Sequence, residues 1–186
     1  WNVKIADLDI QQGTSFSWQA RRLQRGIEPA VAVERFGTVS QAVKAADSYV
    51  LMVLDGPPHA TMGTHQIAET STLVVLPTGL ALDDLEPTVL LAHEMVKKGV
   101  PAERIVVVFC RVGDSDAELA EARSYVRQAG YKHLGNVLPE KTGFRRASDE
   151  GRAPTETRFP SLNERAEAVA QELADLVQSR TNREAA

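Results

Sequence analysis

The stretch Val3-Lys4-Ile5-Ala6-Asp7-Leu8-Asp9-Ile10-Gln11-Gln12-Gly13-Thr14-Ser15 decides how the rest of the chain is read. It is a short apolar run that ends on two acids. Tyr49-Val50-Leu51-Met52-Val53-Leu54 repeats the arrangement and stops at Asp55-Gly56-Pro57-Pro58. Further runs lie at Val31-Ala32-Val33, Thr72 to Leu76, Arg104 to Phe109 and Leu134 to Leu138. These runs are apolar at successive positions, not alternate ones, which suits strands covered on both faces, as in a parallel sheet. Helical periodicity fills the gaps over Val39 to Ala46, Asp84 to Lys98, Asp114 to Ala129 and Ser161 to Ser179. Strand and helix alternating this way predict an α/β, doubly wound, mostly parallel sheet with helices on both faces. One domain is expected over residues 1–179, followed by a polar tail over 180–186.

Composition sets limits on function. The chain has 186 residues, a formal net charge of −4, 43% hydrophobic and 25% charged residues. That is the balance of an ordinary globular domain, and it argues against a surface coated with positive charge for nucleic acid. No apolar run approaches the ~18 residues that suggest a bilayer span. Cys110 is the only cysteine, so no disulfide can form within the chain and a reducing cytoplasm is its expected home. In its apolar strand, Cys110 is expected to be buried and inert. His59 and His65 share a loop without the carboxylate or thiolate that would complete a zinc ligand set.

Ligands of open α/β sheets lie beyond the carboxyl ends of the strands. The polar residues at those ends are therefore the candidates. Two acidic strand ends supply what a magnesium nucleotide needs, hard oxygen ligands and a carboxylate to orient water. A single Asp after a strand serves equally well as a helix cap or turn former. Residue type alone leaves both readings open.

The residues from Val3 to Ser15, with Trp18 and Arg21-Arg22, resemble the Asp-x-Asp-Pro-Gln box of ParA/MinD-type P-loop ATPases, with Ile10 in place of the proline. Leu54-Asp55-Gly56-Pro57-Pro58 resembles the family's Walker B. Val137-Leu138-Pro139, Phe144-Arg145-Arg146-Ala147, Gly151 and Thr155-Glu156 resemble its late nucleotide-covering segment. The resemblance runs from about Val3 to Val177 and favours the ParA/Soj partition branch.

It implies ATP or ADP and Mg2+ as cofactors. By position, Asp9 would orient the attacking water. Asp55 would hold the magnesium through water, and Asp7 would sit beside the metal. Gly56, Pro57 and Pro58 would form the turn that senses the γ-phosphate, and Arg111, Leu138 and Pro139 would flank the base. The family's Lys-Gly-Gly-x-Gly-Lys-Thr loop is not among the 186 residues. The first strand and P-loop, a unit of about 30 residues, are therefore expected ahead of Trp1. Without that strand a central sheet position would stand empty.

The resemblance further implies non-specific DNA, a ParB-like stimulating partner and a nucleotide-dependent homodimer. Lys141, Arg145, Arg146 and Arg152 are the candidate phosphate contacts, with Arg21, Arg22 and Arg25 as a second small basic group. An ordinary solvated face explains either group equally well. The acids Glu164, Glu167, Glu172 and Asp175 on the C-terminal stripe would repel anionic lipid, so no membrane role and a nucleoid-associated location are expected. Other readings are an accessory protein of conjugation or mobilisation, a non-hydrolysing interaction module, and an amide-forming metabolic relative.

Overall fold

The computed structural model describes residues 2–57 and 62–184. Within it the chain forms two compact units, one made of residues up to Ser71 together with Phe144–Thr157, the other of Thr72–Gly143 with Arg158 onward.

The first unit carries β1 (Val3–Asp7), α1 (Thr14–Gln24), β2 (Ala32–Arg35), α2 (Val39–Ala46), β3 (Leu51–Asp55) and α3 (Met62–Thr70). Its sheet has the order β2-β1-β3, and both pairings are parallel. In register, Ile5 lies opposite Val33 and Val53, and Asp7 lies opposite Arg35 and Asp55. Parallel neighbours need a crossover, and α1 and α2 provide the two here. Ala6, Phe36 and Ala42 form the core, with Leu8, Ala45, Met52 and Leu54 packed against them. α2 starts where Thr38 accepts a hydrogen bond from the Gln41 amide at 3.3 Å, a side-chain cap that satisfies one orphan donor.

The second unit carries β4 (Val74–Thr78), α4 (Leu82–Lys97), β5 (Ile105–Val112), α5 (Asp116–Gln128), β6 (Lys132–His133), β7 (Leu138–Pro139) and α7 (Pro160–Glu184). α6 (Thr142–Asp149) follows β7. β5 is central, pairing in parallel with β4, β6 and β7. Residues Ile105 to Phe109 are all buried, as a strand covered on both faces requires. Val106, Val108, Leu134 and Val169 form a core cluster extended by Leu73, Cys110, Leu138, Leu173 and Leu176. α5 is capped by Ser115, which accepts from the Glu118 amide at 3.3 Å.

The structure departs from the sequence reading at several places, among them the helices α1, α3 (which carries His65) and α6, none of which was expected. β4 runs through Pro77 to Thr78, two residues beyond the end of the apolar run at Leu76. Among the described residues β4 pairs only with β5, and an edge strand tolerates the missing proline N–H. The strand expected over Leu134 to Leu138 is two short ones. Between them, the amides of Gly135 and Asn136 donate to the Glu172 carboxylate at 2.8 and 3.0 Å. Finally, α7 continues past Ser179 to Glu184, into the segment expected to be a polar tail, and Arg180 donates to the Glu103 carbonyl.

Candidate functional site

The carboxyl ends of β1 and β3 place Asp7 beside Asp55 in register. Neighbouring strands lie about 4.8 Å apart, so the two acids form an adjacent pair on the sheet rim. Asp9 follows in the turn that carries the chain from β1 into α1. This turn is tight and closed by local bonds. Asp9 Oδ1 accepts from the Gln12 amide at 3.1 Å, and the Asp9 carbonyl accepts from the Gly13 amide at 2.8 Å. Gly13 occupies the left-handed region at φ 56°, which costs glycine nothing for lack of a Cβ. Arg35 reaches over the turn and donates to the Ile10 carbonyl.

Gly13 is also the N-cap of α1, and it has no side chain with which to cap. The acids of the sheet take over that task. Asp7 Oδ2 accepts from the Phe16 amide at 3.0 Å, and Asp55 Oδ2 accepts from the Ser15 hydroxyl at 2.6 Å. Asp7 Oδ1 accepts from the Asp9 amide at 3.2 Å. Asp7 is fully buried and Asp9 nearly so. Negative charge at a helix N-terminus is favourable because the first amides and the helix dipole point at it. The capping reading of Asp7 is therefore realised, with the capped amide lying nine residues along the chain from the acid.

The oxygens left over define what else the site can do. Among the described residues, Asp55 Oδ1 and Asp9 Oδ2 accept no hydrogen bond, whereas both oxygens of Asp7 are committed. No group of three or more His, Cys, Asp or Glu among the described residues could hold a metal ion. Magnesium usually takes one or two carboxylates and completes its shell with water and substrate phosphate. Asp55 and Asp9, hard donors with one uncommitted oxygen each, fit that donor set, and Asp7 fits an orienting role beside them.

Gly56 follows Asp55 directly. A Cβ there would stand 2.8 Å from Ile67 Cδ1 of α3, so the missing side chain gives the Ile67 tip its room. Pro57 ends the described part of this turn. Pro58 and His59 lie outside the described residues.

In the second unit, Arg111, Leu138 and Pro139 come together at the end of β5. Leu138 pairs with Cys110 and Pro139 with Val112, and the register shift between them falls at Arg111. Arg111 takes φ 57°, an uncommon conformation for a side chain of this size. Its guanidinium lies 3.4 Å from Asp84 Oδ2, at an exposed position. Cys110 is half-buried instead of buried, although it still packs against the core cluster and Val112 beyond it is buried. Its thiol is still pushed up by burial, against a smaller lowering influence from Arg111.

The basic candidates differ in their surroundings. Lys141 reaches Asp114 at 3.4 Å and Arg152 reaches Glu150 at 3.4 Å, while Arg145 and Arg146 are exposed on α6. Arg22 does not belong to a surface group at all. Its side chain is 2% exposed and forks onto Glu156 at 2.6 and 2.8 Å. It also donates to the carbonyls of Pro29 at 2.9 Å and Gly151 at 3.2 Å, and stacks over Trp18 at 5.5 Å. Sequence reasoning saw Arg22 as one of three neighbouring cations. The available signal was Trp18 four residues earlier, on the same helix face. Ser15 was missed as a partner of Asp55, since a serine in a polar turn is unremarkable by type. Thr78 was also missed; it is buried at the end of β4 with its hydroxyl unpartnered among the described residues.

No protein-family model matches the chain, and no curated protein does. Solved structures do match its fold. The septum site-determining protein MinD from Pyrococcus horikoshii, in complex with Mg-ADP, aligns with a TM-score of 0.67 at 14% identity, over 96% of this chain and 86% of that one. A variant of McdA from Cyanothece in complex with ATP aligns with a TM-score of 0.64 at 16% identity, over 93% of this chain and 85% of that one. A ParA family ATPase from Chlorobium tepidum aligns with a TM-score of 0.56 at 13% identity, over 89% of this chain and 85% of that one. At such identities the likeness speaks for the fold, and the fold, parallel sheets flanked by helices, is that of the MinD/ParA P-loop ATPases.

Proposed function

We propose that this chain acts as an ATP-dependent switch of the MinD/ParA kind. The observation that supports the reading is the register pair Asp7–Asp55 at the strand ends, with Asp9 in the adjoining turn and, among the described residues, one oxygen without a hydrogen bond on each of Asp55 and Asp9. Mg2+, when bound, neutralises charge on the phosphates and fixes their geometry. The chain's own groups do the rest. Asp55 would hold the ion through Oδ1, Asp9 would orient and accept a proton from water at Oδ2, and Asp7 would keep α1 and the turn in place. Gly56, Pro57 and Pro58 would change order with the γ-phosphate. Arg111, Leu138 and Pro139 would flank the base.

The partition role, the ParB-like partner, the nucleotide-dependent homodimer and the nucleoid location belong to the same proposal. So does non-specific DNA binding through Lys141, Arg145, Arg146 and Arg152. Arg145 and Arg146 stand exposed on α6, and Lys141 and Arg152 face the acids Asp114 and Glu150.

The test is ATP turnover and nucleotide binding by the protein with its natural termini. Asp9→Ala should abolish turnover and leave nucleotide binding intact, and Asp55→Ala should weaken the magnesium dependence of binding. Turnover unchanged in Asp9→Ala overturns the role of Asp9. Nucleotide binding without any turnover in the wild type would favour the non-hydrolysing module.

A further inference from the structure

α1 is held at both ends, by groups that have nothing else in common. At its start, the Ser15 hydroxyl bonds Asp55 and the Phe16 amide bonds Asp7. Toward its end, Trp18 Nε1 donates to the Arg152 carbonyl at 3.1 Å, Arg21 donates to the Ser148 carbonyl at 3.4 Å, and Arg22 forks onto Glu156. Glu156 in turn accepts from the Ala153 amide at 2.8 Å. Gly151 lies directly against the helix, at φ 77°, where a Cβ would stand 2.8 Å from Arg22 Cα. Ser15 and Arg22 are seven residues apart, which is ~10 Å along a helix. A helix this short, bonded at both ends, moves as one body.

We propose that Arg22 and Glu156 are positioning residues which, through α1, tie the segment 144–157 and its cations Arg145, Arg146 and Arg152 to the state of Asp7 and Asp55. This rests on the reading of those carboxylates as the nucleotide-linked site. Anything that draws on Asp55 or reorients Asp7 changes the hold on the first turn of α1. The guanidinium fork passes that displacement to residues 151–156, because Arg22 is buried and bonds both the Gly151 carbonyl and the Glu156 carboxylate. The buried fork supplies the stiffness, since a lysine in its place could not satisfy Pro29, Gly151 and Glu156 together.

The experiment is amide hydrogen exchange on the protein with its natural termini, with and without Mg2+ plus ATP. Two groups of amides are read, those of Ser15 to Ser17 and those of Glu150 to Arg152. The latter bond back onto residues 146–148 and so exchange measurably. In the wild type both groups should shift in the same direction on adding Mg-ATP. In Glu156→Gln the shift at 15–17 should persist and the shift at 150–152 should be lost. Arg22→Lys is the second variant, for the case that Glu156→Gln does not fold, and should show the same loss. A shift at 15–17 alone in the wild type overturns the coupling and leaves the site reading standing. A shift at 150–152 that survives both variants also overturns it. No shift at either place overturns the coupling together with the nucleotide-site reading.

Discussion

Replacing Glu156 with alanine should be among the most damaging single changes in the first unit, and the equivalent change at Glu34 should be nearly silent. Both glutamates face a cation, but in different surroundings. The Arg22 side chain is 2% exposed and that of Glu156 25%, against 12% for Lys4 and 54% for Glu34. Without Glu156, Arg22 keeps bonds to Pro29 and Gly151, but its second terminal nitrogen loses its acceptor and the charge stays enclosed. Breaking a buried pair from one side costs about 3–5 kcal/mol. Without Glu34, Lys4 still has Tyr49 at 3.3 Å and reaches water, so the loss should stay within the ~0.2–1 kcal/mol of exposed pairs.

Urea unfolding followed by Trp18 fluorescence, in a Trp1→Phe background, reads this difference, because Trp18 stacks on Arg22 itself. With a slope of about 2 kcal/mol/M, the midpoint should fall by roughly 1.5–2.5 M for Glu156→Ala and by less than about 0.5 M for Glu34→Ala. Acid should erase the gap between wild type and Glu156→Ala. Hydrogen bonding from Arg22, opposed by burial, leaves the Glu156 carboxyl below its usual value. A depressed carboxyl contributes its full stability above the ordinary glutamate pKa of about 4.3, and loses it as pH falls through the lower folded value. Equal midpoint shifts for the two variants, or a gap that widens in acid, would refute the argument that burial sets the strength of the Arg22 pair.

Three further outcomes follow from named contacts. Gly151→Ala should destabilise the first unit by more than about 1 kcal/mol in the same unfolding assay, since it adds a Cβ both at positive φ and against the Arg22 backbone. Asp7→Ala should cost about 1–3 kcal/mol, the range for amides left without their charged acceptor, and exchange at the first turn of α1 should accelerate. Cys110 should react with iodoacetamide more slowly than a free thiol at pH 7, and unfolding in urea should abolish the difference, because burial holds the thiol above its usual pKa.

The parts of the fold readable in the chain were those whose cause is local. α2 was expected over Val39 to Ala46 and lies there, because an apolar stripe and the Thr38 cap sit inside the segment itself. β5 was expected from its unbroken apolar run, and its central place follows from that run. α1 escaped notice because its reasons to exist are elsewhere: Gly13 offers no cap, the segment is polar, and Asp7 and Asp55 supply the acceptors from two strands. Gly135 and Asn136 were read as part of a strand for the same reason, since the carboxylate that draws their amides out of the sheet belongs to Glu172 of α7. Burial pushes the Glu172 carboxyl up, yet the three N–H groups of Gly135 and Asn136 outweigh it and hold the group below the usual range. The candidate site shows the same division. Its acids could be found from the strand ends, which concentrate ligands in any open α/β sheet. That one of them is spent on capping α1, and that the far end of α1 is fastened to residues 151–156, depends on chain segments brought together from up to 134 residues apart. A charged residue's type carries no mark of whether it will be solvated or enclosed. Only the pairing of Arg22 with a glutamate from the late segment makes its burial affordable, and that pairing is a property of the fold.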